Sequence, residues 1–457
     1  MAPIVRFAPS PTGYLHIGNL RPALFNWLFA QREGGRFILR YDDTDLERSK
    51  REYADAVLED IAWIGIHPDE IVRQSDRLDR YDAAFERLRA SGAIYPCFET
   101  PDELERARRR RLARGLSPVY TRDALRLGDE ERSRLAGEGR QPYWRFRLPN
   151  APAGSLDPVR TEIRWTDLVR GEEVVDLSSL SDPVVRREDG TYLYTFTSVV
   201  DDADMGVTHI LRGDDHVTNT GVQIAMFEAL GVQVPRFGHF NLLTTIDGEG
   251  LSKRSGALSL RTLRSEGYEP MAIASLAVLT GLSGSIEAVP DLESLARRLD
   301  FDAVSLSSAK FDPANLLRLN AELVHAKPTS DVASALADMG VPSEQTDAFW
   351  LAVRGNCERV SDARDWADIV WRQPAGDALL QEGDRAFVRE ALDLLPSDPF
   401  EEATWKRWTD TVKARTERKG RALFLPLRVA LTGREHGPDM SALLPLIGRQ
   451  RALERRP

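Results

Sequence analysis

Two cysteines, six methionines and seven histidines in 457 residues leave this chain poor in soft metal ligands and in thiols. Cys97 and Cys357 stand alone, so neither a disulfide framework nor a four-cysteine zinc site can be assembled. Long apolar runs are also missing. The run from Met271 to Leu282 falls short of the roughly 18 residues that span a bilayer, and reads as a buried helix. No membrane partner is expected. A first strand that begins near Ile4 leaves no room for a signal peptide, so a cytoplasmic location is expected. Internal repeats and low-complexity tracts are absent too.

A hydrophobic content of 42% with 29% charged residues describes an ordinary globular protein, and the length calls for about three or four domains. The formal net charge of -10 argues superficially against a nucleic-acid partner. Its distribution argues the other way. Arg106, Arg108, Arg109, Arg110, Arg111 and Arg114 crowd one stretch, and Lys406 to Arg428 is basic, with Trp405 and Trp408 beside it. Phosphate contacts answer to local fields rather than to the total.

What is present is organised around Pro9 to Leu28, P-S-P-T-G-Y-L-H-I-G-N-L-R-P-A-L-F-N-W-L. Ile4 to Ala8 before it has the apolar character of a buried parallel strand. Leu20, Ala23, Leu24, Trp27 and Leu28 after it recur at helical spacing, Gly34-Gly35 stops the helix, and Arg36 to Tyr41 is strand-like again. One strand-helix-strand unit with a right-handed crossover results. Ligands of such sheets bind beyond the carboxyl ends of the strands, where Ser10 to Gly18 lies. Gly13 and Gly18 let backbone approach a ligand, free N–H groups at the helix start suit a phosphate, and His16 can donate to a phosphate oxygen.

Farther along, Thr44 and Glu47 form a T-x-x-E pattern that predicts a capping box, with a helix to about Ile64. Asp42 and Asp43 then stand at a strand end facing the same crevice. Tyr143 to Leu148, Glu162 to Leu168, Tyr192 to Phe196 and Val207 to Leu211 read as strands. Asn219 and Thr220 are expected to cap a helix that Gly231 ends. Beyond about 330 helices predominate, with Trp350, Trp366, Trp371, Trp405 and Trp408 packing their core. The Arg-rich tail after Gly448 is expected to fray.

Glu249-Gly250-Leu251-Ser252-Lys253-Arg254 supplies a second constellation. Together with S-P-T-G-Y-L-H-I-G it resembles the paired signatures of class I aminoacyl-tRNA synthetases. Arg6 to Gly13, Arg40 to Asp45, Val199 to Asp202, Arg212 to His216 and Lys419 to Arg428 resemble blocks of the glutamyl-tRNA synthetases. The resemblance covers the chain from near residue 4 to beyond 440.

The fold it implies is α/β: a split Rossmann-like parallel sheet with an inserted α+β domain, followed by an all-helical anticodon-binding region. The catalytic domain is expected over 1–90 and 191–245, the acceptor-end-binding insertion over 91–190, a stem-contact region over 246–325 and the helical region over 326–457. The activity implied is ATP-dependent activation of L-glutamate and transfer to the 3' end of tRNA(Glu), by a monomer, with Mg2+ carried on ATP. His16, Lys253 and Arg254 are the expected catalytic residues. Gly13, His16, Gly18, Asn19, Leu251, Ser252 and Lys253 would hold ATP, and Arg6, Ser10, Asp42, Tyr194, Ser198 and Arg212 would hold glutamate.

Some relatives carry zinc in the insertion. Glu99 stands at the place of their second cysteine and none lies near Tyr120, so no zinc is expected. Four positions depart from the family pattern: Asp42 for Glu, Ser198 for Asn, Gly250 for the first Lys of the second signature, and Asn19 for the final His of the first. Asp42 also suits a glutaminyl-tRNA synthetase, which Arg212 and the helical carboxyl half disfavour. Two further readings compete with the main one: an enzyme that also charges tRNA(Gln) with glutamate, and a catalytically dead tRNA-binding or regulatory paralogue.

Overall fold

The apolar run at the amino end forms β1 (Ile4–Phe7), which pairs in parallel with β2 (Arg36–Tyr41), Val5 opposite Phe37. Between them α1 (Ile17–Arg32) buries Leu20, Ala23, Leu24 and Leu28, as the spacing predicts. It stops before Gly34, which turns at φ +63°, and Gly35 has to be glycine because a Cβ there would sit 2.3 Å from the Pro3 carbonyl oxygen. In this computed structural model the described residues are 2–45, 47–152, 154–249, 251, 258–372 and 380–457.

After α2 (Arg51–Ile64), β3 (Glu70–Arg73) adds in parallel to β2, and α3 (Leu78–Ala90) follows. The inserted segment is mixed, as expected. β4 (Ile94–Cys97), the Arg-rich α4 (Pro101–Ala113), α5 (Asp129–Gly137) and β5 (Tyr143–Phe146) lead to the hairpin of β6 (Glu162–Asp167) and β7 (Gly171–Asp176), then to β8 (Val184–Arg186). β4, β5 and β8 form one antiparallel sheet.

The parallel pattern resumes with α6 (Tyr194–Asp204), β9 (His209–Gly213), α7 (Val217–Ala229) and β10 (Arg236–Phe240). β9 and β10 pair in parallel, and Thr208 N–H donates to the Ile4 carbonyl (2.9 Å), which joins this half to β1. The chain divides into two compact units: 1–263 with 273–312, and 264–272 with 313–457.

Four local expectations are corrected. Tyr192 to Phe196 is not a strand: Tyr194 opens α6. The β-branched and aromatic residues there favour a strand, but Phe196, Val199 and Val200 fall at helical spacing and are buried together in one core. Thr44 starts no helix, because the Lys50 N–H is bonded to the Pro11 carbonyl (3.0 Å), so the chain turns helical only at Arg51. Asn219 and Thr220 cap nothing. α7 continues a single 3-10 turn at Asp214–His216, and the Thr220 hydroxyl is engaged elsewhere. The chain end does not fray: the Arg455 guanidinium is buried and donates to the carbonyls of Leu431 (2.5 Å), Ile369 (2.6 Å) and Val370 (3.1 Å).

The second unit is helical. Trp350, Trp366 and Trp408 are buried in its core, with Trp371 and Trp405 packed against it. The buried indoles of Trp350 and Trp408 donate to the carbonyls of Lys327 (2.9 Å) and Ala391 (2.8 Å). Among the described residues no helix is long and apolar enough to cross a membrane.

Candidate active site

Beyond the carboxyl ends of β1 and β9 opens a cavity of about 520 Å3. Arg6, Ser10, His16, Gly18, Asn19, Tyr194, Arg212 and Leu251 line it, so residues far apart in sequence converge there. Asp42, Ser198 and Gly13 are not part of its lining. Ser252, Lys253 and Arg254, like Gly250, lie outside the described residues.

His16 is the N-cap of α1, and its Nδ1 accepts the Gly18 N–H (3.1 Å). Burial pushes the imidazole pKa below its usual value, so the ring is neutral near pH 7. With Nδ1 accepting, the proton sits on Nε2, and His16 is a donor through that atom. The free N–H groups expected at the helix start are already taken. Ile17 donates to Leu258 (3.3 Å), Gly18 to the His16 ring, and Asn19 (2.9 Å) and Leu20 (3.1 Å) to the His16 carbonyl. His16 itself takes three of these groups, and the Ile17 bond belongs to an antiparallel bridge between His16 and Ser259, which brings the segment beyond the second signature against the first. The positive end of the helix dipole and His16 Nε2–H remain for an anion.

The same cavity is lined by Arg212, 6% exposed, near the end of β9. Its guanidinium donates to Thr220 Oγ1 (2.5 Å), His239 Nε2 (3.2 Å), Tyr194 Oη (3.3 Å) and the His216 carbonyl (3.5 Å). A forked cation so held is suited to a carboxylate.

Behind the cavity lies a buried ionic network. Asp42 is gripped by Arg40 through Nε–Oδ1 (2.7 Å) and Nη2–Oδ2 (3.2 Å), and Arg40 also donates to Asp202 (2.7 Å) and Ser198 (3.3 Å). Arg6 meets the same Asp202 through Nε (3.0 Å) and Nη2 (3.3 Å). Burial raises the Asp42 pKa despite Arg40. For Asp202 burial acts in the same sense, but Arg6 and Arg40 outweigh it and hold the carboxyl below its usual value. Asp43 is occupied as well, accepting from Ser75 N–H and Oγ (2.9 Å each). Sequence reasoning missed the pairing of Arg40 with Asp202, and missed Asp167, Thr220 and His239. The signal for the last was a histidine within the apolar strand Phe237-Gly238-His239-Phe240.

In the insertion, the Tyr120 hydroxyl donates to Glu99 (2.5 Å) and lies 3.7 Å from Cys97 Sγ, while Tyr143 donates to the other Glu99 oxygen (3.1 Å). Among the described residues no group of three or more His, Cys, Asp or Glu is arranged to hold a metal ion.

Comparison with known proteins places this site in a family. Residues 4–318 match the catalytic domain of the class I tRNA synthetases (E and Q), and 327–455 match an anticodon binding domain. The chain belongs to the class I tRNA synthetases of the glutamate and glutamine group. Within that group it is similar to glutamate–tRNA ligase 2 of Methylobacterium sp. (strain 4-46), at 60% identity over 455 residues, 100% of this chain and 99% of the relative. Glutamate–tRNA ligase 1 of Brucella canis is 57% identical over the full length of both chains. The crystal structure of a glutamate tRNA ligase from Elizabethkingia meningosepticum, in complex with its amino acid, superposes with a TM-score of 0.86 at 26% identity, covering 100% of this chain and 98% of that one.

Proposed function

We propose that the chain is a glutamate–tRNA ligase. L-glutamate attacks the α-phosphate of ATP to give glutamyl-adenylate and pyrophosphate, and the glutamyl group then passes to the terminal adenosine of tRNA(Glu), releasing AMP. The observation that carries this reading is the single cavity that the held guanidinium of Arg212 and the His16-capped start of α1 line together. The guanidinium suits a carboxylate and the helix start a phosphate.

Neither step needs a nucleophile from the protein. Displacement at phosphorus is served by positioning and by stabilising negative charge. His16 donates from Nε2 to a phosphate oxygen, the α1 dipole adds its positive end, and Lys253 and Arg254 meet the departing pyrophosphate. Gly18, Asn19, Leu251 and Ser252 shape the nucleotide site, and Gly13 belongs to the loop before it. ATP enters as its Mg2+ complex, the ion offsetting phosphate charge.

For glutamate, Arg212 pairs with the side-chain carboxylate, Tyr194 steadies Arg212, and Arg6 adds positive charge. The acceptors that the cavity offers the α-amino group are the Ser10 hydroxyl and the Asp215 carboxylate. Asp42 and Ser198 serve the pocket through Arg40, which both of them meet. The insertion at 91–190 receives the acceptor end. Its support is the arginine face of α4, where Arg108, Arg110 and Arg111 line a second cavity of about 480 Å3 with Tyr120. Residues 246–325 meet the stem and 326–457 the anticodon, in a cytoplasmic monomer.

The test is aminoacylation with labelled glutamate and, separately, labelled glutamine, on purified tRNA(Glu) and tRNA(Gln). Glutamate on tRNA(Glu) is the expected product. Glutamine charging would overturn the assignment of Arg212.

A further inference from the structure

His239 is fully buried, at the register position of β10 directly opposite Arg212 of β9. Its hydrogen bonds fix its chemical state. Asp167, at the end of β6, accepts five hydrogen bonds, two of them from His239: His239 Nδ1 (2.6 Å) and Trp165 Nε1 (3.3 Å) at Oδ2, and the backbone N–H groups of His239 (3.0 Å), Val169 (3.0 Å) and Arg170 (3.1 Å) at Oδ1. A carboxylate surrounded only by donors is ionised, and its histidine partner must donate. Nδ1 of His239 therefore carries a proton.

The other nitrogen faces two donors. Arg212 Nε lies 3.2 Å and Thr220 Oγ1 2.8 Å from His239 Nε2. An arginine Nε–H can only donate, so Nε2 must be the bare acceptor and the ring neutral. The Nε edge of Arg212 is thereby pinned between His239 and Thr220, which also accepts from Nη2 at 2.5 Å. The contacts of Nη1 with Tyr194 (3.3 Å) and of Nη2 with the His216 carbonyl (3.5 Å) are long, so these are the hydrogens that a ligand in the cavity can take.

We propose that Asp167 and His239 are positioning residues for substrate recognition: Asp167 sets the tautomer of His239, and His239 Nε2 holds the Nε edge of Arg212 so that its Nη1 and Nη2 hydrogens meet the glutamate side-chain carboxylate. Neither residue touches substrate. The proposal rests on the reading of Arg212 as the partner of that carboxylate. It adds that the fork discriminates only while its far edge is fixed, because a guanidinium free to rotate loses its bidentate geometry.

Two substitutions separate positioning from simple packing. His239→Asn keeps a donor for Asp167 but is too short to reach Arg212. His239→Gln reaches the position of Nε2 with its amide oxygen. Steady-state charging of tRNA(Glu) by the full-length variants is expected to show a glutamate KM raised about tenfold or more for His239→Asn, the loss of one hydrogen bond to a charged group, with the ATP KM within about twofold. His239→Gln should return glutamate KM to within about threefold of the parent.

An unchanged glutamate KM in His239→Asn would overturn the proposal, and so would equal damage to glutamate and ATP in both variants. Arg212→Ala is run alongside. If it leaves glutamate KM unchanged, the reading of Arg212 itself fails; if it raises KM while His239→Asn does not, only the positioning role fails. Should His239→Asn not fold, Thr220→Val removes the other anchor of the same guanidinium. Raised glutamate KM with ATP KM held is then the supporting result, and unchanged glutamate KM the refuting one.

Discussion

At the scale of single residues, one constrained contact in the cavity is between His16 and Gly18. A Cβ built on Gly18 would lie 3.0 Å from both Cε1 and Nδ1 of the His16 ring, tighter than ordinary van der Waals contact. The backbone at Gly18 is helical, so alanine is compatible with α1 and should even stabilise it, by about 0.5 to 1 kcal/mol where the ring can yield. The ring pays for that by moving. Gly18→Ala is therefore expected to lower the rate of glutamate activation roughly ten- to a hundredfold while the thermal midpoint holds or rises. Pyrophosphate exchange in the presence of tRNA, beside a melting curve, checks both halves. Activity retained with stability unchanged would mean that His16 need not stay where Nδ1 now meets the helix.

At the scale of elements, the network of Arg6, Arg40, Asp42 and Asp202 ties β1, β2 and α6 together, and so joins segments on either side of the insertion. Asp202 serves two arginines at once. Removing its charge takes the ion-pair partner from Arg6 and leaves Arg40 with Asp42 and Asp201, and breaking a buried pair from one side costs roughly 3 to 5 kcal/mol. Asp202→Asn is expected to lose stability of that order in urea unfolding, and a loss under about 1 kcal/mol would show that the network does not hold the halves. This is also the scale at which the sequence runs out. β1, β2, β9 and α1 were legible because an apolar run or a helical stripe ends at a glycine or a polar turn. α6 was not, since Tyr194-Thr195-Phe196-Thr197 carries strand propensity and only its packing makes it a helix. Of the expected site residues, Arg6, Ser10, His16, Gly18, Asn19, Tyr194, Arg212 and Leu251 do line one cavity. Asp42 was expected to face it and is instead claimed by Arg40, two residues away on the preceding strand. The partner of Arg40 on the far side, Asp202, lies 162 residues away, and no local spacing announces such a pair.

For the whole molecule, four histidines share one electrostatic situation. Burial lowers the pKa of His16, His209, His216 and His239 below the ordinary value. Unfolded, each would titrate near about 6.5; folded, each stays neutral to lower pH. Below about pH 6.5 the unfolded chain therefore binds more protons than the folded one, and stability falls as pH falls toward the folded pKa values. Above that range the contribution is complete. Asp42, with its raised pKa, acts in the opposite sense but only near the carboxylate range. The thermal midpoint is expected to be level from about pH 8 to 7 and to decline by about pH 5.5. A midpoint that rises on acidification would contradict the buried neutral state of these rings.

The two cysteines have a use that comes from their placement. Cys97 lies in one compact unit and Cys357 in the other, both are buried, and burial pushes each thiol up to about 12. Neither presents a thiolate to solvent while its unit is closed, so alkylation must wait for that unit to open. The chain thus carries one internal clock per unit. The order in which the two sulfurs become modified under mild denaturation reports which half of the protein gives way first.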